Sequence, residues 1–211
     1  MKITGKKFTL SLAFLVLSLN AACHGFAPVT NQEYRKDNLA FTYLSNWKIT
    51  EDTTTKEAVG DVRFISIEGP DDAVLMISRF PSDTDVTLES YVELLQSGMK
   101  QEAETMTGGV KVFKMDDGIL SSVEARIAGA TRHGLAREFD IKALSVLVPH
   151  RAETFSIENP TEKWFFVRQS SKEDWEKLKI GSQTIFDSLA FETAARSGGG
   201  RNNSSQIQSR F

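Results

Sequence analysis

Apolar and polar residues alternate with period two in several short runs, and each run predicts a half-buried strand. The first is Leu39–Tyr43, closed by Ser45 and Asn46, and Trp47–Thr50 predicts a short second strand. The polar run EDTTTKEAVG over residues 51–60 breaks the pattern and predicts a flexible loop. Alternation resumes over Val62–Ile67, with Val62, Phe64 and Ser66 set against Arg63, Ile65 and Ile67. Gly69, Pro70, Asp71 and Asp72 supply turn chemistry, after which Ala73–Phe80 reads as a more deeply buried strand.

The period then changes. Leu88, Tyr91, Val92, Leu94, Leu95, Met99, Ala103 and Met106 recur at spacings of three and four, one apolar face of a helix of about eighteen residues. Asp85 or Thr87 supplies its cap and Gly108-Gly109 its stop. An antiparallel meander is expected next: Val110–Met115, a turn at Asp116-Asp117-Gly118, Leu120–Ala128, Leu135–Val146 and Trp164–Gln169, with Arg151–Ile157 a weaker candidate strand. Ser171, with Asp174 three residues on, predicts the start of a last helix whose inner face carries Trp175, Leu178, Ser182 and Ile185. Strands interrupted by one long helix and closed by another predict an α+β domain, an antiparallel β-sheet flanked by helices.

Both ends differ from this body. Lys2, Lys6 and Lys7 precede twelve mainly apolar residues, Phe8–Leu19, and no acidic residue occurs before Glu33. Twelve helical residues span about 18 Å, short of the roughly 30 Å hydrocarbon core, so residues 1–22 read as a cleavable export signal. Ala21 and Ala22 then precede the only cysteine, Cys23. Residues 23–37 read as a tether, 38–192 as the domain, and 193–211, with a triple glycine and Asn-Asn-Ser-Ser, as a disordered tail.

Charge narrows the partners. The chain holds 25 basic and 28 acidic residues; without the three signal lysines the balance is 22 against 28, a formal charge of −6. A mildly acidic domain excludes nucleic acid as the expected partner. One cysteine excludes an internal disulfide framework or a four-cysteine metal site. The three histidines, His24, His133 and His150, show no metal-ligand spacing, no nucleophile elbow is present, and no catalytic residue, metal or cofactor is expected. Thr54, with Thr53 and Thr55, in the 51–60 loop and Arg132-His133 in a presumed hairpin turn over 131–134 are the candidate ligand-binding residues. Turn and loop chemistry explains them more simply. Trp47 and Trp164 are expected to pack under the helices.

Two resemblances sharpen the reading. The order apolar run, Ala21, Ala22, Cys23 resembles bacterial lipoprotein signals, with Asn20 where their leucine usually stands. That implies acylation of the Cys23 sulfur, a lipid membrane as partner, and, since His24 replaces the aspartate of inner-membrane retention, an outer-membrane address in a host that has one. The run Phe41–Trp47 (FTYLSNW) resembles the F-x-Y-P-x-x-W opening of PsbP-like domains, with Leu44 at the proline position. Trp164–Val167, Trp175 and Ile185–Phe191 (IFDSLAF) resemble that family's last strand, helix and ending. PsbP-like domains share an α/β/α sandwich with Mog proteins and DcrB-like envelope proteins. The resemblance implies a non-enzymatic, membrane-anchored cell-envelope or periplasmic lipoprotein that binds a protein partner or supports assembly. A small-ligand binder or enzyme using a cleft near the 51–60 loop, or a holding chaperone for apolar segments, is the alternative.

Overall fold

The computed structural model describes residues 28–105, 110–115, 120–143 and 146–191. The expected signal, Cys23, His24, the tail and the turn residues 108–109 and 116–118 lie outside them. Eleven strands and two helices are present among the described residues. Strands β1 (Asn31–Lys36), β2 (Leu39–Leu44) and β11 (Ala190–Phe191) form a small sheet in the order β1-β2-β11. A second sheet runs β3-β4-β5-β10-β9-β8-β6, comprising β3 (Lys48–Glu57), β4 (Gly60–Glu68), β5 (Val74–Pro81), β10 (Glu162–Ser171), β9 (Val146–Glu158), β8 (Ala130–Ala143) and β6 (Val110–Met115). Strand β7 (Ser121–Ile127) pairs with β8 as well. Every pairing is antiparallel.

The large sheet is covered on both faces, as its alternation requires. Phe165 and Val167 of β10, with Val62, Met76 and Phe80, pack against Tyr91 and Leu95 of helix α1 (Leu88–Thr105). Trp164 and Phe166, on the opposite pleat of β10, join Ile65, Ile77 and Phe155 in a core closed by Leu178, Ile185 and Phe186 of helix α2 (Trp175–Ser188) and by Leu39 and Phe41 of the small sheet. The fold is α+β, with helices on the two faces of an antiparallel sheet. Trp47 and Trp164 both belong to this α2-side core. Gly181 is required there, because a Cβ would stand 2.4 Å from the Trp47 ring.

The local signals act largely as their chemistry dictates. Thr87 begins α1: its Oγ1 accepts the Ser90 N–H at 3.2 Å while Ser90 Oγ accepts the Thr87 N–H at 2.8 Å, a reciprocal cap. The last helix begins later than expected, since Asp174 is its N-cap and Ser171 belongs to β10. The Ser171 hydroxyl organises the turn before the helix, accepting the Asp174 N–H at 3.3 Å.

Several expectations are corrected. Residues 31–36 are strand β1 rather than tether: a polar edge strand carries no alternation to read, and Tyr34 docks it by stacking on Phe41. Residues 51–60 are the β3–β4 hairpin rather than a loop, with three β-branched threonines in a strand whose two faces are largely exposed. Thr131–Gly134 is strand, and the turn lies at Ala128-Gly129, both at positive φ (50° and 77°) as a tight two-residue hairpin turn requires. Val146 opens β9 rather than ending β8, and His150, which falls between the expected strands Leu135–Val146 and Arg151–Ile157, sits inside that 13-residue strand. Strands β6 and β7, expected to form a hairpin, instead follow one another along the same edge of β8.

Candidate functional site

The candidate residues do not converge. Thr54 lies on β3, paired with Arg63 of β4 at one edge of the large sheet, whereas Arg132 and His133 lie on β8, five strands away in the sheet order. Neighbouring strands are about 4.8 Å apart, so some 24 Å separates the two strands across the sheet. A cleft shared by the 51–60 segment and Arg132 is not formed. His133 Nδ1 faces Glu124 Oε1 of β7 at 3.1 Å in an exposed cross-strand pair. Arg132 Nε is buried without a hydrogen-bond partner.

Buried charge, which the sequence pattern does not announce, organises the α2 side. Arg63 has no exposed surface. Its Nε donates to Asp52 at 2.9 Å, its Nη2 to Asp52 and to the Tyr34 hydroxyl, and its Nη1 to the Lys36 carbonyl, with Asp37 in an ion pair at 3.1 Å. This cluster fastens the small sheet to β3 and β4. Burial opposes ionisation of Asp52, but hydrogen bonds from Arg63, Lys36 and Tyr34 outweigh it and hold the carboxyl down at about 2. The same burial, with the bond to Asp52, pushes the Tyr34 hydroxyl up.

A second cluster lies under α2. Arg168 of β10 donates to Glu153 of β9 through Nη2 at 2.6 Å and Nε at 2.9 Å, and to Ser182 of α2 at 3.4 Å. Arg151 takes the other Glu153 oxygen at 2.7 Å. The Arg168 guanidinium also lies 5.5–5.6 Å from the ring centroids of Phe155, Trp175 and Phe186. At the end of the sheet Asp72 accepts the Ser171 N–H at 2.9 Å and faces His150 Nε2 at 3.0 Å. Burial opposes its ionisation, and the His150 and Ser171 bonds prevail, so its carboxyl titrates below the usual range.

Beside the Arg168 cluster the surface between β7 and α2 forms a shallow, open concavity. Glu124, Arg126, Glu176, Lys179 and Asp187 ring it with mixed charge, and Ile180, 71% exposed, stands among them. Lys179 is engaged by Glu176 at 2.7 Å, and Gln183 bridges the Arg126 carbonyl and Asp187. A polar rim around an exposed aliphatic side chain suits a protein surface better than a diffusible ion.

A slot of different character opens on the α1 side, lined by Met76, Leu95, Met99, Phe139 and Val167 with Arg137 among them. Thr54, Arg132 and His133 line neither concavity. Among the described residues no group of three or more His, Cys, Asp or Glu side chains could hold a metal ion, and no helix is long and apolar enough to cross a membrane.

No protein-family model matches the chain, and no curated protein matches it. Among solved structures it is similar to cyanobacterial PsbP (CyanoP) from Synechocystis, with 15% identity, 82% of this chain and 98% of that chain covered, and a TM-score of 0.43. It is also similar to a protein of Bacteroides thetaiotaomicron at 11% identity and a TM-score of 0.44, covering 74% of this chain but only 46% of that one. LpqN of Mycobacterium tuberculosis, involved in cell envelope biogenesis, is 12% identical over 78% of this chain and 92% of its own, with a TM-score of 0.36. These are likenesses of overall architecture, and no partner or chemistry passes from them to this chain.

Proposed function

We propose that the chain is an exported, lipid-anchored envelope protein whose domain acts by binding a protein partner rather than by catalysis. The observation that carries this reading is the position of Cys23. It stands behind the short apolar run and the small residues Ala21 and Ala22, and seven residues separate it from β1. At about 3.6 Å per residue those seven residues reach at most about 25 Å, so an acyl chain on the sulfur holds the domain against the lipid surface rather than at the end of a long leash. The mixed-charge concavity between β7 and α2 is the surface offered to the partner, with Ile180 as its apolar anchor.

Mass spectrometry of the protein recovered from membranes is expected to show a mature chain beginning at an acylated Cys23, and Cys23→Ser is expected to move it to the soluble fraction. A chain that retains Met1 contradicts the reading. Ile180→Asp is expected to weaken partner capture by about tenfold or more while Thr54→Asp leaves it unchanged, and equal effects of the two would remove the concavity from the account.

A further inference from the structure

We propose that the slot between α1 and the large sheet binds an anionic amphiphile, the oxyanion head on Arg137 and the apolar tail between helix and sheet. The sequence places Arg137 on the pleat of β8 that also carries Leu135 and Phe139, so its guanidinium enters an apolar layer. Its Nε and Nη1 are buried and have no hydrogen-bond partner. Among the described residues, none of the side chains lining the slot carries a carboxylate. Burying a cationic donor without an acceptor is unfavourable, and Arg63 and Arg168 show how this chain satisfies such a group when the need is structural. Arg137 is left with donors facing a slot, and an anion is what those donors lack.

The walls fit the rest of the molecule. Met76, Leu95, Met99, Phe139 and Val167 give a mainly apolar lining around one charged group, the form that small-molecule sites commonly take. Across the sheet Arg137 pairs with Ala152, whose small side chain leaves space beside the guanidinium. Counting its open mouth the slot holds about 470 Å³ of unfilled space, of which about 30 Å³ is clear enough for a water-sized body. A tail therefore enters by displacing side chains, and two of those are methionines, unbranched thioethers that repack at little cost.

The test uses the full chain with methyl-labelled methionine, following Met76 and Met99 by NMR during titration with dodecanoate, with dodecanol and with acetate. The expected result is saturable shifts of both methyls with dodecanoate, binding about tenfold weaker for dodecanol, and none for acetate, since the charge-assisted bonds belong to the head and the contact area to the tail. Dodecyl phosphate, titrated in parallel, distinguishes a preference for carboxylate from one for phosphate, and tight binding of either supports the site. Arg137→Gln is expected to reduce dodecanoate to the affinity of dodecanol. Methyls that do not move, or dodecanol binding as tightly as dodecanoate, would overturn the proposal. The wild-type comparison of the two amphiphiles stands even where the variant fails to fold.

Discussion

On the α2 side of the large sheet Arg63 and Arg168 are as buried as the aliphatic residues around them, and carboxylates, hydroxyls or a carbonyl occupy their N–H groups. On the α1 side Arg137 is only partly covered, yet two of its nitrogens are shut away from water with nothing to bond. The same residue type on two faces of one sheet thus meets two environments. A buried guanidinium with partners pins elements together; one without partners keeps donors that can take an acceptor. The difference separates side chains that hold the fold from a side chain the fold does not use.

Breaking the satisfied clusters produces the largest effects. Glu153→Ala leaves Arg168 charged and desolvated beneath α2, and chemical denaturation is expected to show a loss of about 3–5 kcal/mol. Acid gives a smaller and reversible version of the same experiment at Asp52. Its folded-state pKa of about 2 lies below the ordinary carboxylate value, so its stabilisation is complete above roughly pH 4 and disappears as pH falls through 2. About 2 kcal/mol is at stake, and Asp52→Asn should flatten that part of the stability profile. The smallest effect belongs to the exposed pair on β7 and β8. His133→Ala is expected to change stability by roughly 0.5 kcal/mol or less, because Glu124 then simply returns to water.

The same contrast explains which parts of the architecture could be read in advance. The inner faces of α1 and α2 bury one side against a core and strands β4 and β5 are covered on both, so Ile65, Ile77, Leu95 and Ile185 stand in apolar patterns that reveal them. Strands β1 and β3 are edges of polar residues, held by hydrogen bonds to a neighbour and by Arg63, and neither cause leaves a periodic trace. Pro149 disguised β9 as a break, although its carbonyl still accepts the Lys172 N–H at 2.8 Å. The turn at Ala128-Gly129 was hidden because alanine rarely adopts positive φ, and Gly129 was its one signal.

The site was less legible than the fold. Partner choice for Arg63 and Arg168 depends on residues 11 to 29 positions away on other strands, and local spacing carries no record of it. One hint was available. Arg137 and Arg168 interrupt strands otherwise patterned for burial, and a charge at a core-facing position of a strand asks what satisfies it. Thr54, Arg132 and His133 were attractive because loops carry function, but all three lie in strands.

The most direct measurement is a paired denaturation of Arg137→Met and Arg168→Met. Replacing an unsatisfied guanidinium with an apolar side chain of similar reach is expected to leave stability unchanged or to raise it, whereas the same change at Arg168 leaves the buried Glu153 Oε2 without its donors and costs about 3 kcal/mol or more. Equal losses at the two positions would show that Arg137 is a structural charge like the others, and the α1 face would then hold no unfilled acceptor site.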